Sequence, residues 1–124
     1  MRIIGGEHKN HRFKICKKLT IRPTTDFCKE NLFNILTNST IFSEINVLDL
    51  FSGSGSISYE FISRGSTVTS IDKNIKCIQI IKENMQKLGT KKSTVLKMNS
   101  FKYLKEVSEK FDLIFADPPF SFDE

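Results

Sequence analysis

The chain has no tryptophan and only two tyrosines, three cysteines and three prolines in 124 residues. Cys16, Cys28 and Cys77 are odd in number and widely separated, and they form no Cys-x-x-Cys pair. That speaks against a disulfide framework and against a zinc site, so the thiols are expected to be reduced and structural. No run of about 18 apolar residues is present, and Met1 to Gly6 lack the longer apolar stretch of a signal peptide. The expectation is a cytoplasmic protein with no membrane role. Also missing is a Gly-x-x-x-x-Gly-Lys-Ser/Thr loop, which disfavours ATP hydrolysis. With 39% hydrophobic residues, the length suits one domain with a real core and is too short for two ordinary ones.

Acidic residues are scarce in one place. Residues 1–22 carry Arg2, Lys9, Arg12, Lys14, Lys17, Lys18 and Arg22 against only Glu7, while the whole chain has a formal charge of +5. The basic excess therefore lies entirely at the N-terminus. It reads either as a footprint for a polyanion such as nucleic acid or as a solvated basic tail. Basic and apolar residues alternate here, as in Phe13 to Lys17, which fits a small β-hairpin with one basic face. His8 and His11 have no nearby carboxylate or thiolate partner and read as surface histidines.

Pro23 breaks the strand pattern. Thr24 or Thr25 can cap a helix that Asp26 favours in its first turn, running to about Thr37 with Cys28, Leu32, Ile35 and Leu36 on its buried face. From Asn46 strands and helices alternate. Val47 to Phe51 reads as a strand, Ser52 to Gly55 as a tight turn, and Ser56 to Arg64 as a helix ended by Gly65. Thr67 to Ile71 is a second strand closed by Asp72. A helix with Ile75, Ile78, Ile81, Met85 and Leu88 on one face then stops at Gly89. Thr94 to Met98 is a third strand, Phe101 to Val107 a short helix, and Phe111 to Ala116 a fourth, buried strand. This βαβαβαβ order implies an α/β fold with a parallel, doubly wound sheet.

Such sheets bind ligands at the carboxyl ends of their strands, where three features converge. The first is the glycine turn, too short for the Gly-x-Gly-x-x-Gly fingerprint of a pyrophosphate site. The second is Asp72, 23 residues after Asp49, placed to accept both ribose hydroxyls of an adenosine or, alternatively, to cap the segment from Lys73. The third is Asp117-Pro118-Pro119-Phe120, a turn whose prolines fix two φ angles and remove two donors, leaving a carboxylate, free carbonyls and an aromatic ring at defined positions. An adenosine ligand without phosphate points to S-adenosylmethionine. Asp49 would hold its ammonium, directly or through water, or else simply bond the glycine turn.

Met1 to Gly6 (MRIIGG), Arg22 to Asp26 (RPTTD) with Glu30 to Asn34 (ENLFN), Asp49 to Gly55 (DLFSGSG) and Asp117 to Phe120 (DPPF), in that order and spacing, resemble the bacterial small-subunit ribosomal RNA guanine-N2 methyltransferase family over essentially the whole chain. The last two boxes alone would also fit methyltransferases of adenine or cytosine amines.

The resemblance implies a Rossmann-like class I methyltransferase sheet of strand order 3-2-1-4, S-adenosylmethionine as cofactor, and ribosomal RNA or the assembling small subunit as partner. It implies catalytic roles for Asp117, Pro118, Pro119 and Phe120, and cofactor contacts from Asp49, Phe51, Gly53, Gly55, Asp72 and Asn99, the last meeting the adenine or serving as a turn residue. It implies an RNA side formed by Arg2, Lys9, Arg12, Lys14, Arg22 and Thr24, although Arg22 could instead pair with an acid such as Glu30. The expected organisation is a basic hairpin over 1–22 and an incomplete methyltransferase domain over 23–124. That family's fold has seven strands, so a fragment, a remnant that binds RNA without catalysis, or a chain completed by a partner at the fourth-strand edge are all expected possibilities; a complete protein would be a monomer.

Overall fold

The structure, a computed structural model, describes residues 1–15 and 25–118. The expectations for Cys16, Arg22, Thr24, Pro119 and Phe120, and for the later part of the hairpin, lie outside these residues.

The first helix, α1, spans Asp26–Thr37, and its cap is Thr25, whose Oγ1 accepts a hydrogen bond from the Cys28 N–H at 3.2 Å. Its buried face differs from the one expected. Lys29 and Phe33 are buried and Leu32 and Leu36 partly so, whereas Cys28 is exposed and Ile35 is 69% exposed. Two contacts set this rotation: the Lys29 ammonium lies 3.0 Å from a Glu60 carboxylate oxygen, and the Phe33 ring meets that of Phe61 at 4.8 Å. An apolar periodicity cannot reveal a buried lysine that a distant glutamate neutralises.

Four parallel strands follow, β1 (Asn46–Asp49), β2 (Thr67–Asp72), β3 (Ser93–Lys97) and β4 (Leu113–Phe115), in the expected order β3-β2-β1-β4. Between them run α2 (Ser56–Ser63), α3 (Ile75–Leu88) and α4 (Ser100–Glu106). Because side chains alternate across a strand, β1 and β2 feed two cores. Val47 and Val68 join the cluster holding Ile57, Phe61 and Ile81 of α2 and α3, while Leu48 and Ile71 pack with Tyr103 of α4.

The fourth strand is shorter than expected and is not buried: Leu113 and Phe115 are partly buried and Ile114 is 55% exposed. It is an edge strand, and no layer among the described residues covers Ile114. Its register is nevertheless tightly fixed, since Asp112 Oδ2 accepts the Asn46 N–H at 2.7 Å and the Asp112 N–H donates back to the Asn46 carbonyl at 2.8 Å. Among the described residues no helix is long and apolar enough to cross a membrane.

The N-terminal hairpin is reduced, within the described residues, to one antiparallel bridge between Arg2 and Arg12. The residues between them do not extend a ladder because they dock on α2. The Glu7 N–H donates to the Ser63 carbonyl at 2.7 Å, the His8 N–H to Ser63 Oγ at 2.9 Å, and Ser63 Oγ to the Gly5 carbonyl at 2.6 Å. Gly6 makes this possible: its φ is +79°, and a Cβ there would fall 2.3 Å from the Ser63 carbonyl oxygen. His8 and His11 are consequently half-buried at the surface.

Candidate active site

The carboxyl ends of β1, β2 and β4 lie side by side at one end of the sheet. There the glycine turn between Asp49 and Ser56 donates its N–H groups to acceptors on both neighbouring strands. The Leu50 N–H donates to Phe115 of β4 and the Ser52 N–H to Ile71 of β2, each at 3.0 Å, and the Gly55 N–H closes on the Ser52 carbonyl at 2.7 Å. Gly55 has φ +84°, and a Cβ would sit 2.5 Å from the Tyr59 ring, so this glycine is required by the packing of α2 under the turn.

Asp72 reaches the turn from β2. One carboxylate oxygen accepts the Gly53 N–H and the other the Asn74 N–H, both at 2.9 Å. Asn74, not Asp72, caps α3, by accepting from the Lys76 and Cys77 N–H groups. Each Asp72 oxygen has spent one of its two acceptor positions, and the side chain is only half-buried, so capacity remains for ligand hydroxyls.

Asp49 is 1% exposed, and its Oδ2 accepts from Ser58 Oγ at 2.7 Å. Burial pushes its carboxyl up to about 6; the Ser58 and Ser52 hydroxyls pull it down, and the charges of Asp72 and Asp117 raise it further. At that exposure Asp49 contributes charge more than contact. The three acids thus share one electrostatic site that favours a cation.

Asp117 and Pro118 are exposed beyond the end of β4. Asp49 pairs with Phe115 in the sheet register, so Asp117 stands two residues beyond the partner of Asp49, as Phe51 stands two beyond Asp49 itself. Phe51 is half-buried, with its ring 6.4 Å from that of Phe101, edge-on. Asn99 caps α4, its Oδ1 accepting from Phe101 and Lys102 at 2.9 and 3.1 Å. That bond pattern is the turn role, and the side chain is exposed just after the end of β3.

The basic residues divide by surroundings. Arg2 pairs with Asp26 at 3.2 Å and donates to Asn10 at 2.9 Å, and Lys14 lies 3.5 Å from Glu83. Lys9 and Arg12 are exposed, with no ion pair among the described residues. A cavity of about 460 Å³ on this flank is lined by Arg2, Lys9 and Arg64 against Asp26 and Glu30, among others. None of its lining residues belongs to the glycine turn, and its three cations against two acids do not match the acidic end of the sheet.

Sequence reasoning missed the polar residues that brace this arrangement. Glu60 on α2 is fully buried, 2.6 Å from Arg64 and 3.0 Å from Lys29, and it accepts the Ile4 N–H. Ser100 Oγ donates to the Leu50 carbonyl. Asn84 and Tyr59 connect the N-terminal strand to the glycine turn. The one available signal was α2 itself: a helix in which Ser56, Ser58, Glu60 and Ser63 are distributed around the axis, yet which lies between two apolar strands, must bury polar groups and find partners for them.

A parallel sheet of this order, with a glycine turn after the first strand and an acid closing the second, is the class I Rossmann-like methyltransferase fold. At 17% identity the C-terminal domain of precorrin-6Y C5,15-methyltransferase from Rhodobacter capsulatus shares it, with a TM-score of 0.70 over 88% of this chain and 55% of that one. The Escherichia coli protein yhhF is nearer, at 31% identity and a TM-score of 0.87 over 97% of this chain and 65% of that one. The chain belongs to the family described as conserved hypothetical protein 95, whose model matches residues 1–124. Ribosomal RNA small subunit methyltransferase D of Buchnera aphidicola subsp. Baizongia pistaciae is 38% identical over 97% of this chain and 61% of that protein. The chain spans about three fifths of the length of the relatives of that name.

Proposed function

We propose that this chain carries the cofactor-binding and base-binding residues of an S-adenosylmethionine-dependent methyltransferase acting on the exocyclic N2 amine of a guanine in small-subunit ribosomal RNA. The observation that carries the reading is the β1–β4 register, which sets Asp117 beside the end of a glycine turn already bonded to Asp72.

The residues present fit this cofactor. Asp72 retains acceptor positions for ribose hydroxyls, the charges of Asp49, Asp72 and Asp117 suit a ligand bearing sulfonium and ammonium groups, and Ser56 Oγ is buried at the turn with no protein partner among the described residues. When bound, S-adenosylmethionine supplies an electrophilic methyl group. A guanine amine is a poor nucleophile because its lone pair is delocalised into the ring. Asp117 and the Pro118 carbonyl, accepting the two amine protons, would pull the nitrogen toward a pyramidal geometry and aim that lone pair at the glycine turn. Orientation of this kind is worth several kcal/mol, up to about 7–11 in the best cases. The nitrogen must then lose a proton, and solvent-exposed Asp117 is positioned to take it. Phe120 is assigned to stacking on the base, which must first leave its helix. Phe51, Gly53, Gly55 and Asn99 complete the cofactor side, and Arg2, Lys9, Arg12, Lys14, Arg22 and Thr24 the RNA side.

The test is transfer of labelled methyl from S-adenosylmethionine to undermethylated small-subunit RNA or particles. Label in N2-methylguanine supports the reading. RNA binding without label, in wild type and Asp117→Ala alike, overturns it in favour of a non-catalytic RNA-binding module.

A further inference from the structure

One chain of hydrogen bonds, buried at the glycine turn and part-buried at its other end, runs to the basic N-terminal segment. Tyr59 is fully buried, and its hydroxyl donates to the Ser54 carbonyl at 2.7 Å. The same hydroxyl accepts from Asn84 Nδ2 at 2.9 Å. Asn84, 1% exposed, then takes the place of a strand partner for Lys14: its Oδ1 accepts the Lys14 N–H at 3.3 Å and its Nδ2 donates to the Lys14 carbonyl at 3.0 Å. Both amide protons and the oxygen of Asn84 are engaged, and only one orientation of the amide satisfies all three bonds. Burial also pushes the Tyr59 phenol further above its ordinary range, so the hydroxyl keeps its proton and remains a donor to Ser54.

This chain has little slack. Phe13 packs edge-on against the Tyr59 ring at 4.5 Å, and the ring fills the space a Cβ on Gly55 would need. A shift of Ser54 breaks a fully buried bond to Tyr59, and a shift of Lys14 strains two part-buried bonds to Asn84, so displacement at either end is felt by the pair. One end lies in the cofactor turn; the other is the backbone of a residue assigned to the RNA side.

We propose that Tyr59 and Asn84 are positioning residues that couple RNA engagement at the N-terminal segment to cofactor affinity at the glycine turn, each ligand tightening the other. The inference rests on the function proposed above. By linkage the effect is reciprocal: whatever factor RNA adds to cofactor affinity, cofactor adds to RNA affinity.

The experiment is calorimetric titration of S-adenosylmethionine into the full chain, alone and saturated with transcribed small-subunit ribosomal RNA. Wild type is expected to bind the cofactor about fivefold more tightly with RNA present, a modest allosteric coupling. Tyr59→Phe keeps the ring against Gly55 and Phe13 and removes only the hydroxyl; its ratio is expected to fall to about one. Equal ratios in wild type and Tyr59→Phe, or a wild-type ratio of one, overturn the coupling and leave the methyltransferase reading standing. A wild type that binds no S-adenosylmethionine overturns both. Should Tyr59→Phe not fold, hydrogen exchange on wild type decides: slower exchange of the Lys14 amide on adding cofactor supports the coupling, and unchanged exchange overturns it.

Discussion

Asp49 is an acid kept where a negative charge is costly, and the cost has two measurable consequences of opposite sign. Its carboxyl is raised from 3.8 to about 6, so between those values the folded chain holds a proton that the unfolded chain has released. Its contribution to stability is therefore full below about pH 4 and is lost as pH rises through 6. Cofactor affinity runs the other way. A cationic ligand favours the carboxylate, so binding below pH 6 must expel the proton, and affinity is expected to rise between pH 5 and 7. Calorimetry across that range checks it, and Asp49→Asn should flatten both profiles. Asp117 is exposed and, in the proposed function, is assigned to the base. Asp117→Ala is expected to lower single-turnover methyl transfer by about a hundredfold or more while cofactor affinity weakens far less, since only one exposed charge of the three is lost there. Asp49, Asp72 and Asp117 were all legible in the sequence, because each closes an apolar run. Ser58, Tyr59 and Asn84 were not: a serine or asparagine inside a helix looks the same whether it faces water or a buried carboxylate.

At the scale of elements, α2 is the member on which everything else is braced. Its buried Glu60 serves two cations, Lys29 at 3.0 Å and Arg64 at 2.6 Å, as well as the Ile4 N–H. Removing one member of a buried pair costs about 3–5 kcal/mol because a charge is left uncompensated. Glu60→Gln takes the buried carboxylate from two cations, leaving Lys29 only Asp26 at 3.9 Å, whereas Lys29→Met leaves Glu60 still paired with Arg64. Urea unfolding should therefore find Glu60→Gln the more destabilised of the two. Gly6→Ala tests the docking of the N-terminal loop separately. The new methyl would meet backbone at Ser63, which cannot move aside, in a conformation alanine rarely adopts. Limited proteolysis should then cut within residues 4–11 while the sheet stays intact. The parallel, doubly wound sheet followed from the alternation of patterns, whereas the strand order followed only from the family resemblance. The rotation of α1 followed from neither, because it is set by Glu60, 31 positions after Lys29 in the chain.

For the whole molecule, the division of charge is the property that should be felt at a distance. The carboxyl end of the sheet is acidic and the N-terminal flank basic, so a polyanion is drawn to one side and a small cation to the other. RNA binding should weaken linearly in log–log plots against salt, with each phosphate contact contributing about 0.7–0.9 to the slope. Arg12→Ala is expected to lower the slope by about that much, and Arg2→Ala by less, since Asp26 already offsets its charge at 3.2 Å.

The docking of residues 4–8 onto Glu60 and Ser63 also sets an order of events during synthesis. Their partners lie 55 to 58 positions downstream, and at about 5–20 residues per second the chain needs roughly 3 to 12 seconds to make them. For that interval residues 4–8 lack the partners on α2 that hold them in the folded chain. A nascent arm rich in lysine and arginine, next to ribosomal RNA, is then a polycation waiting for its own helix to be translated.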